Sequence, residues 1–293
     1  METNLFALTT LTCNNRLTLF PVIQSVFRNC TWPKGTFWFI VLQGCSAEHV
    51  AQVVKTFREC MGGSRCQVKE FGASHTVIFN TRICVHLLCI PENLGLSKGN
   101  NVLAVAARSF KYVMFVEDDW YALPEEITHV VPNWVSACLS FLETNPTVSS
   151  LFLRKYATEA EKFQYGWTRQ IGYVCHRFAE NFNYAANMKN SKVMTHDGIK
   201  FQHIPNCLFT FNPCIRRNKD YYEAGVFPLP EFADVSKRQG QWNATKEGEI
   251  HEWGSCEALS MEKTRHLQTF NVAAGLFGHF EDFQTILAER GHL

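Results

Sequence analysis

The stretch Tyr112-Val113-Met114-Phe115-Val116-Glu117-Asp118-Asp119 decides the reading of the fold, because an unbroken apolar run ends in three acids. A short run with no polar alternation suits a strand covered on both faces, as in a parallel sheet. Three adjacent carboxylates repel one another unless a cation or hydrogen-bond donors meet them. Hard divalent cations prefer such oxygens, and Mg²⁺ or Mn²⁺ commonly shares its shell with phosphates. A solvated acidic turn is the competing reading. The strand immediately before the acids weighs against it.

Upstream, Leu5 to Thr12 reads as a strand that stops at the polar turn Cys13-Asn14-Asn15-Arg16. Leu17 to Phe27 then sets Leu19, Ile23, Val26 and Phe27 at helical spacing. Phe37 to Leu42 is a second wholly apolar strand, closed by Gln43-Gly44, and Glu48 to Phe57 repeats the helical pattern. Val77 to Phe79 and Val85 to Ile90 are further strand material. Pro91 to Asn101 reads as a Gly-containing loop leading into a helix that runs through Phe110. Strands separated by helices predict an α/β fold with a mostly parallel central sheet. Such sheets bind ligands beyond the carboxyl ends of their strands. Thr12-Cys13-Asn14, Gln43-Gly44 and the three acids all fall at that edge.

The second half is less regular. Pro132 to Leu142 and Ala258 to Leu267 read as helices, Asp220 to Gly225 as a short one, and Val148 to Leu153 as a strand. Cys207 to Phe211 begins another strand, and residues 159–191 have only weak periodicity. Residues 231–248 are polar and lack hydrophobic period, so they are expected to form a mobile loop. No linker or repeat divides the chain, and one continuous domain is expected.

Hydrophobic residues make up 46% and charged residues 19% of 293, which excludes disorder and supplies a large core. Lys and Arg total 28 against 27 Asp and Glu, so no basic excess exists to neutralise a nucleic-acid backbone. No apolar run is long enough to span a bilayer, and the first residues lack a basic signal region. Twelve cysteines occur without a CxxC spacing, and Cys84, Cys89 and Cys207 sit inside apolar segments as small hydrophobes. The sequons at Asn29 and Asn243 are therefore read as chance, and a reduced, cytoplasmic protein without a transmembrane segment is expected.

With these pieces in order, the chain resembles the GT-A class of nucleotide-sugar glycosyltransferases, especially the family-2-like inverting enzymes. Leu8 to Arg16 looks like that family's opening strand and its T-x-N-R turn. Asn93 to Asn101 is similar to its N-x-G loop and helix start, and Phe115 to Asp119 stands where a DXD-type metal motif belongs. Phe211 to Arg217, followed by Gly225-Val226-Phe227, resembles the acceptor-side strand. The resemblance departs at Asn100, where the family often has Arg, and Lys98 offers a replacement cation. The usual acidic pair near the C-terminal end is also not clean.

The resemblance implies a nucleotide-sugar-binding half over 1–120 and an acceptor-binding and catalytic half over 121–293, within one GT-A domain. It implies a metal-dependent inverting transfer of a sugar, from a UDP-linked donor, to a hydroxyl of a glycan or glycoconjugate acceptor. Asp119 would ligate Mn²⁺ or Mg²⁺, with His279 as a further ligand, and Glu117 and Asp118 would contact the ribose or the water shell. Thr12, Asn14, Arg16 and Gln43 would line the nucleoside pocket, with Lys98 and Asn101 near the diphosphate. An inverting transfer needs a carboxylate to take the acceptor's proton. Glu257, at an expected helix start, is the first candidate and Glu252 the second. Trp167, Trp242 and Trp253 are candidates for stacking on sugar rings, with core anchoring as the competing role. Two other functions stay open. A sugar-nucleotide pyrophosphorylase would need a Gly-rich first loop, which Cys13 to Arg16 is not. A non-catalytic GT-A-like nucleotide-binding or scaffold protein would not need the acids.

Overall fold

The computed structural model describes residues 4–123, 133–153, 192–204, 213–219, 268–272 and 276–279. Strand β1 (Asn4–Cys13) lies inside the sheet, hydrogen-bonded in parallel to β2 (Thr36–Gln43) on one side and β6 (Phe110–Phe115) on the other. Parallel neighbours require crossovers. Helices α1 (Leu19–Asn29) and α3 (Gly95–Ala107) supply two of them, and α2 (Ala47–Cys60) lies between β2 and the strands that follow it. The helical spacing in α1 places Leu19, Val22, Ile23 and Val26 on one buried stripe. That stripe packs in one core with Phe6 and Leu8 of β1 and with Trp38, Ile40 and Leu42 of β2.

Beyond β2, the sheet continues through β5 (Ile83–Ile90), parallel to it, and then the antiparallel β4 (His75–Phe79) and β3 (Gln67–Glu70). Beyond β6 comes β11 (Cys214–Arg217), antiparallel to both its neighbours, then β8 (Val148–Phe152). β12 (Gln268–Val272) joins β8 in parallel, and the hairpin of β9 (Val193–His196) and β10 (Ile199–Ile204) completes the sheet. The 11-stranded order is β3-β4-β5-β2-β1-β6-β11-β8-β12-β10-β9. The expected mixed α/β architecture is present, and its parallel heart is β5-β2-β1-β6. A separate two-stranded ribbon pairs β7 (Trp120–Ala122) with β13 (Phe277–His279).

Several boundaries differ from the sequence reading. Helix α3 begins at Gly95, inside the segment read as a loop, and ends at Ala107. Its start is possible there because Gly95 adopts φ +80 and its N–H is taken by the Asn93 side chain at 3.0 Å. The short strands β3, β9, β10 and β12 were not foreseen; the exposed, alternating β3 and β9 carry little apolar signal. The strand expected to begin over 207–211, the helices over 220–225 and 258–267 and the loop over 231–248 lie outside the described residues. Helix α4 (Trp134–Thr144) buries most of its side chains against β8 and its neighbours.

Two internal ties hold α4 to the sheet and the β7–β13 ribbon to α1. Arg217 is buried, with its ring-facing guanidinium 5.7 Å above Tyr112. Its Nε donates to Val148 O at 2.9 Å, and its terminal nitrogens donate to Leu142 O, Asn145 O and the Tyr112 hydroxyl. It thus caps the carboxyl end of α4 and binds that end to β6 and β8, a favourable place for a cation. Burial holds the Tyr112 hydroxyl at a pKa of about 12, so it stays protonated beside this arginine. Asn29 at the end of α1 donates to Ala122 O at 3.1 Å, and Ala122 N–H donates to Ser25 Oγ at 3.0 Å. The amide of the first sequon is therefore spent on holding β7 against α1. Cys30 and Cys138 are buried free thiols whose pKa burial pushes up. Among the described residues, no helix is long and apolar enough to cross a membrane.

Replacing Arg217 with Leu removes the donor from several buried carbonyls at once. Each buried polar group left unsatisfied costs about 1–3 kcal/mol. Urea unfolding of Arg217→Leu is expected to show a loss of at least about 3 kcal/mol. A loss below about 1 kcal/mol would show that the arginine is not the tie between α4 and the sheet.

Candidate active site

Three loops leave the carboxyl ends of β1, β2 and β6 side by side. The first is Asn14-Asn15-Arg16, in which both asparagines adopt left-handed backbone, φ 53 and φ 57. Asparagine tolerates this conformation better than most side chains because its amide bonds locally. Here Asn15 Oδ1 accepts from Ser46 N–H at 2.8 Å, tying the loop to the start of α2, where the Ser46 hydroxyl caps His49 N–H. Asn14 N–H continues the ladder by donating to Gln43 O at 3.1 Å. The resulting turn, closed by Arg16 N–H to Cys13 O, carries the Arg16 side chain over to the third loop.

Gly44 makes this close approach possible. Its φ is +62, and a Cβ there would meet Asn14 Oδ1 at 2.9 Å and the Asn93 backbone nitrogen at 3.4 Å. Gln43 is buried, and its side chain is engaged at both ends. Oε1 accepts from Leu94 N–H at 3.1 Å and Nε2 donates to Gly95 O at 3.2 Å. Gln43 therefore holds the loop before α3 rather than presenting a free amide to a nucleoside. On α3, Gly99 packs so closely that a Cβ would meet Leu11 at 2.5 Å. Its neighbours differ: Lys98 is exposed, Asn100 buried and Asn101 half-buried.

The third loop is the acidic turn between β6 and β7. Val116 N–H donates to Thr9 O, and Trp120 N–H closes the turn on Glu117 O at 3.4 Å. Asp118 is only 4% exposed, whereas Glu117 and Asp119 are half-buried. Arg16 Nη1 donates to Asp118 Oδ1 at 3.0 Å and lies 3.5 Å from Asp119 Oδ2. Burial pushes the Asp118 carboxyl above the ordinary aspartate range, against the pull of Thr12 and Arg16 toward the charged form. The Thr12 hydroxyl is buried and completes no geometrically sound hydrogen bond, though it stands close enough to favour that charge. Arg16 in turn is held more firmly protonated, chiefly by Asp118 and then by Asp119.

Strand register adds His279, whose backbone pairs with Trp120, the residue after Asp119. Thr12, Asn14, Arg16, Gln43, Glu117, Asp118 and Asp119 are thus gathered at one sheet edge, with the start of α3 beside them. Glu252, Glu257, Trp167, Trp242 and Trp253 lie outside the described residues. Gly44, Asn15 and Asn93 shape the edge without chemistry of their own; the sequence put them in its strand-end turns and loop but gave them no role in the site. The glycine closing an apolar strand was the available signal.

The donor chemistry fits a hard cation that keeps water and phosphate oxygens as ligands: carboxylate oxygens converge on one face, beside a buried hydroxyl. Among the described residues, no group of three or more His, Cys, Asp or Glu side chains is disposed to enclose a metal ion.

No protein-family model matches the chain, and no curated protein matches it in sequence. Solved structures do match. The chain is 12% identical to S. aureus TarS 1–349 in complex with UDP, with a TM-score of 0.51, over 97% of this chain and 63% of that one. A longer S. aureus TarS structure gives 12% identity and a TM-score of 0.51, over 97% and 38% of the two chains. The mannosyltransferase PcManGT from Pyrobaculum calidifontis, in complex with GDP-Man and Mn²⁺, gives 12% identity and a TM-score of 0.45, over 76% and 47%. The chain thus spans less than two thirds of the length of each. The likeness to these structures gives this chain the GT-A fold.

Proposed function

We propose that this chain is a metal-dependent inverting glycosyltransferase that moves a sugar from a UDP-linked donor to a hydroxyl of a glycan or glycoconjugate acceptor. The observation that carries the proposal is the acidic turn Glu117-Asp118-Asp119, held at the carboxyl end of the parallel strands with a buried carboxylate and an arginine across it. A GT-A sheet places its ligand at this edge. The nucleoside diphosphate held by TarS 1–349 is of the class proposed here.

The acids divide their work by exposure. Asp118, buried and turned to Arg16 and Thr12, orders the first loop against the third. Asp119, with a side chain 27% exposed against 6% for Asp118, is the more accessible of the two and is proposed as the ligand to a cation, with Glu117 beside it in sequence. His279 is proposed as a further ligand from its strand position. A divalent cation bound there would neutralise charge gathering on the leaving diphosphate. Thr12, Asn14 and Arg16 are proposed to line the nucleotide's site, with Lys98 and Asn101 of α3 toward the diphosphate. Glu257, with Glu252 as the alternative, is proposed to accept the acceptor hydroxyl's proton as that oxygen attacks the anomeric carbon.

Thermal unfolding with UDP and Mn²⁺ tests the metal reading. A ligand that binds only the native state at ~100 times its Kd adds about 2.7 kcal/mol, a readily measured shift. Asp119→Ala is expected to abolish the Mn²⁺-dependent part of that shift while leaving the ligand-free melting temperature nearly unchanged. An intact Mn²⁺-dependent shift in the variant would remove Asp119 from the site.

Turnover with donor and acceptor tests the base. Glu257→Gln keeps size and hydrogen bonding but cannot accept a proton, so a ~10²–10⁴-fold loss in kcat with unchanged UDP affinity is expected. A loss in Glu252→Gln alone would transfer the role to Glu252. Full turnover in both variants would rule out a base from this segment.

A further inference from the structure

A single nitrogen of Arg16 stands between the two carboxylates on which the proposed function depends. Nη1 is 3.0 Å from Asp118 Oδ1 and 3.5 Å from Asp119 Oδ2, so one guanidinium nitrogen serves both carboxylates. We propose that Arg16 is a built-in counter-ion: it occupies the acidic turn in the ligand-free protein, leaves it when a divalent cation binds, and then pairs with the diphosphate of the incoming nucleotide. The inference rests on the acidic turn being the metal and diphosphate site.

Three features support an arginine that moves. First, its backbone is held by the loop, whereas its side chain is held only at its tip. The turn is held by Arg16 N–H to Cys13 O and by Asn15 to Ser46, but the side chain is 52% exposed. A guanidinium on a long stem can therefore swing without disturbing the loop that carries it. Second, the same oxygens cannot serve both cations. Asp118 is removed from water and needs an opposite charge at all times. With a divalent cation on the turn, that need is met, and a guanidinium within a few ångströms of the cation is repelled. Third, the opposite wall of the edge presents a buried asparagine at position 100 and an exposed Lys98. An arginine released from the first loop has a planar fork of donors that suits phosphate oxygens better than a lysine does.

The arrangement couples two ligands. Metal alone must displace Arg16, while metal with a nucleoside diphosphate gives the displaced guanidinium a new partner. Cation binding to the bare protein is thereby suppressed, and the two ligands bind as a pair. Coupling of this kind is typically worth ~5–150-fold in affinity.

Titration of the full chain with Mn²⁺, read from the electron paramagnetic resonance signal of the free ion, tests the inference without requiring turnover. Wild type, Arg16→Met and Asp119→Asn are compared without nucleotide, and UDP affinity is then measured by calorimetry at saturating Mn²⁺. Arg16→Met is expected to bind Mn²⁺ alone about tenfold tighter than wild type, and UDP in the presence of Mn²⁺ about tenfold more weakly. Arg16→Gln carries the same expectation if the methionine variant does not fold. Unchanged or weaker Mn²⁺ binding in the Arg16 variants, or unchanged UDP affinity, overturns the counter-ion. If Asp119→Asn loses Mn²⁺ while the Arg16 variants match wild type, only the counter-ion fails and the metal site stands. If Asp119→Asn binds Mn²⁺ as wild type does, both fail together.

Discussion

A carboxylate taken out of water at the end of β6 is the constraint on which the whole sheet edge depends. Asp118 is almost fully buried, and a buried charge needs an opposite charge and hydrogen bonds close by. Arg16 supplies the charge only because the first loop turns back after two left-handed asparagines. Glycine at residue 44 suits that turn, because its backbone is left-handed at φ +62 and a Cβ there would press on Asn14 Oδ1. Gln43 then fixes the loop before α3 with both ends of its amide. One desolvated carboxylate thereby dictates the conformation of three loops.

The division of labour between rigid and adjustable parts follows from the same edge. β1, β2 and β6 are hydrogen-bonded on both sides, and their positions cannot drift independently. The acidic turn is suspended between two sheets, leaving β6 at Phe115 and entering the β7–β13 ribbon at Trp120. Asn29 and Ser25 of α1 anchor that ribbon. The loop backbones are thus pinned at both ends, while the exposed side chains of Arg16 and Lys98 retain freedom. A site with fixed acids and mobile cations suits an anionic ligand that must enter and leave.

The parts of this arrangement visible in the sequence share a cause. Phe6 to Thr12, Phe37 to Leu42 and Tyr112 to Val116 are largely buried, so the last two are apolar along their length, the first admits only threonines among its apolar residues, and each stops abruptly at polar residues. The stops mark the sheet edge, and the acids there announce a charge that needs a partner. What escaped notice has no local signature. β3 and β9 are short and half-exposed, so they resemble loops. Arg217 looks like any basic residue beside another, and only the meeting of α4, β6 and β8 makes it an interior clamp. The resemblance implied that Gln43 stands near a nucleoside. Its side chain instead points along the edge to the backbone of Leu94 and Gly95, a choice set by a loop fifty residues away.

The place of β12 in the sheet has a consequence for the nascent chain. β12 lies between β8 and β10, and its ladder partners in β8 precede it by more than a hundred residues. As a ribosome delivers the protein from its amino end, the four parallel strands can pair early. β8 then waits with one edge bare, and the β9–β10 hairpin waits with no sheet to join. Bare edges recruit the strands of other chains, and late long-range pairing is slow. The interval before Gln268 to Val272 emerges is therefore when aggregation competes with folding, and when a holdase chaperone at the β8 edge would raise the yield of native protein.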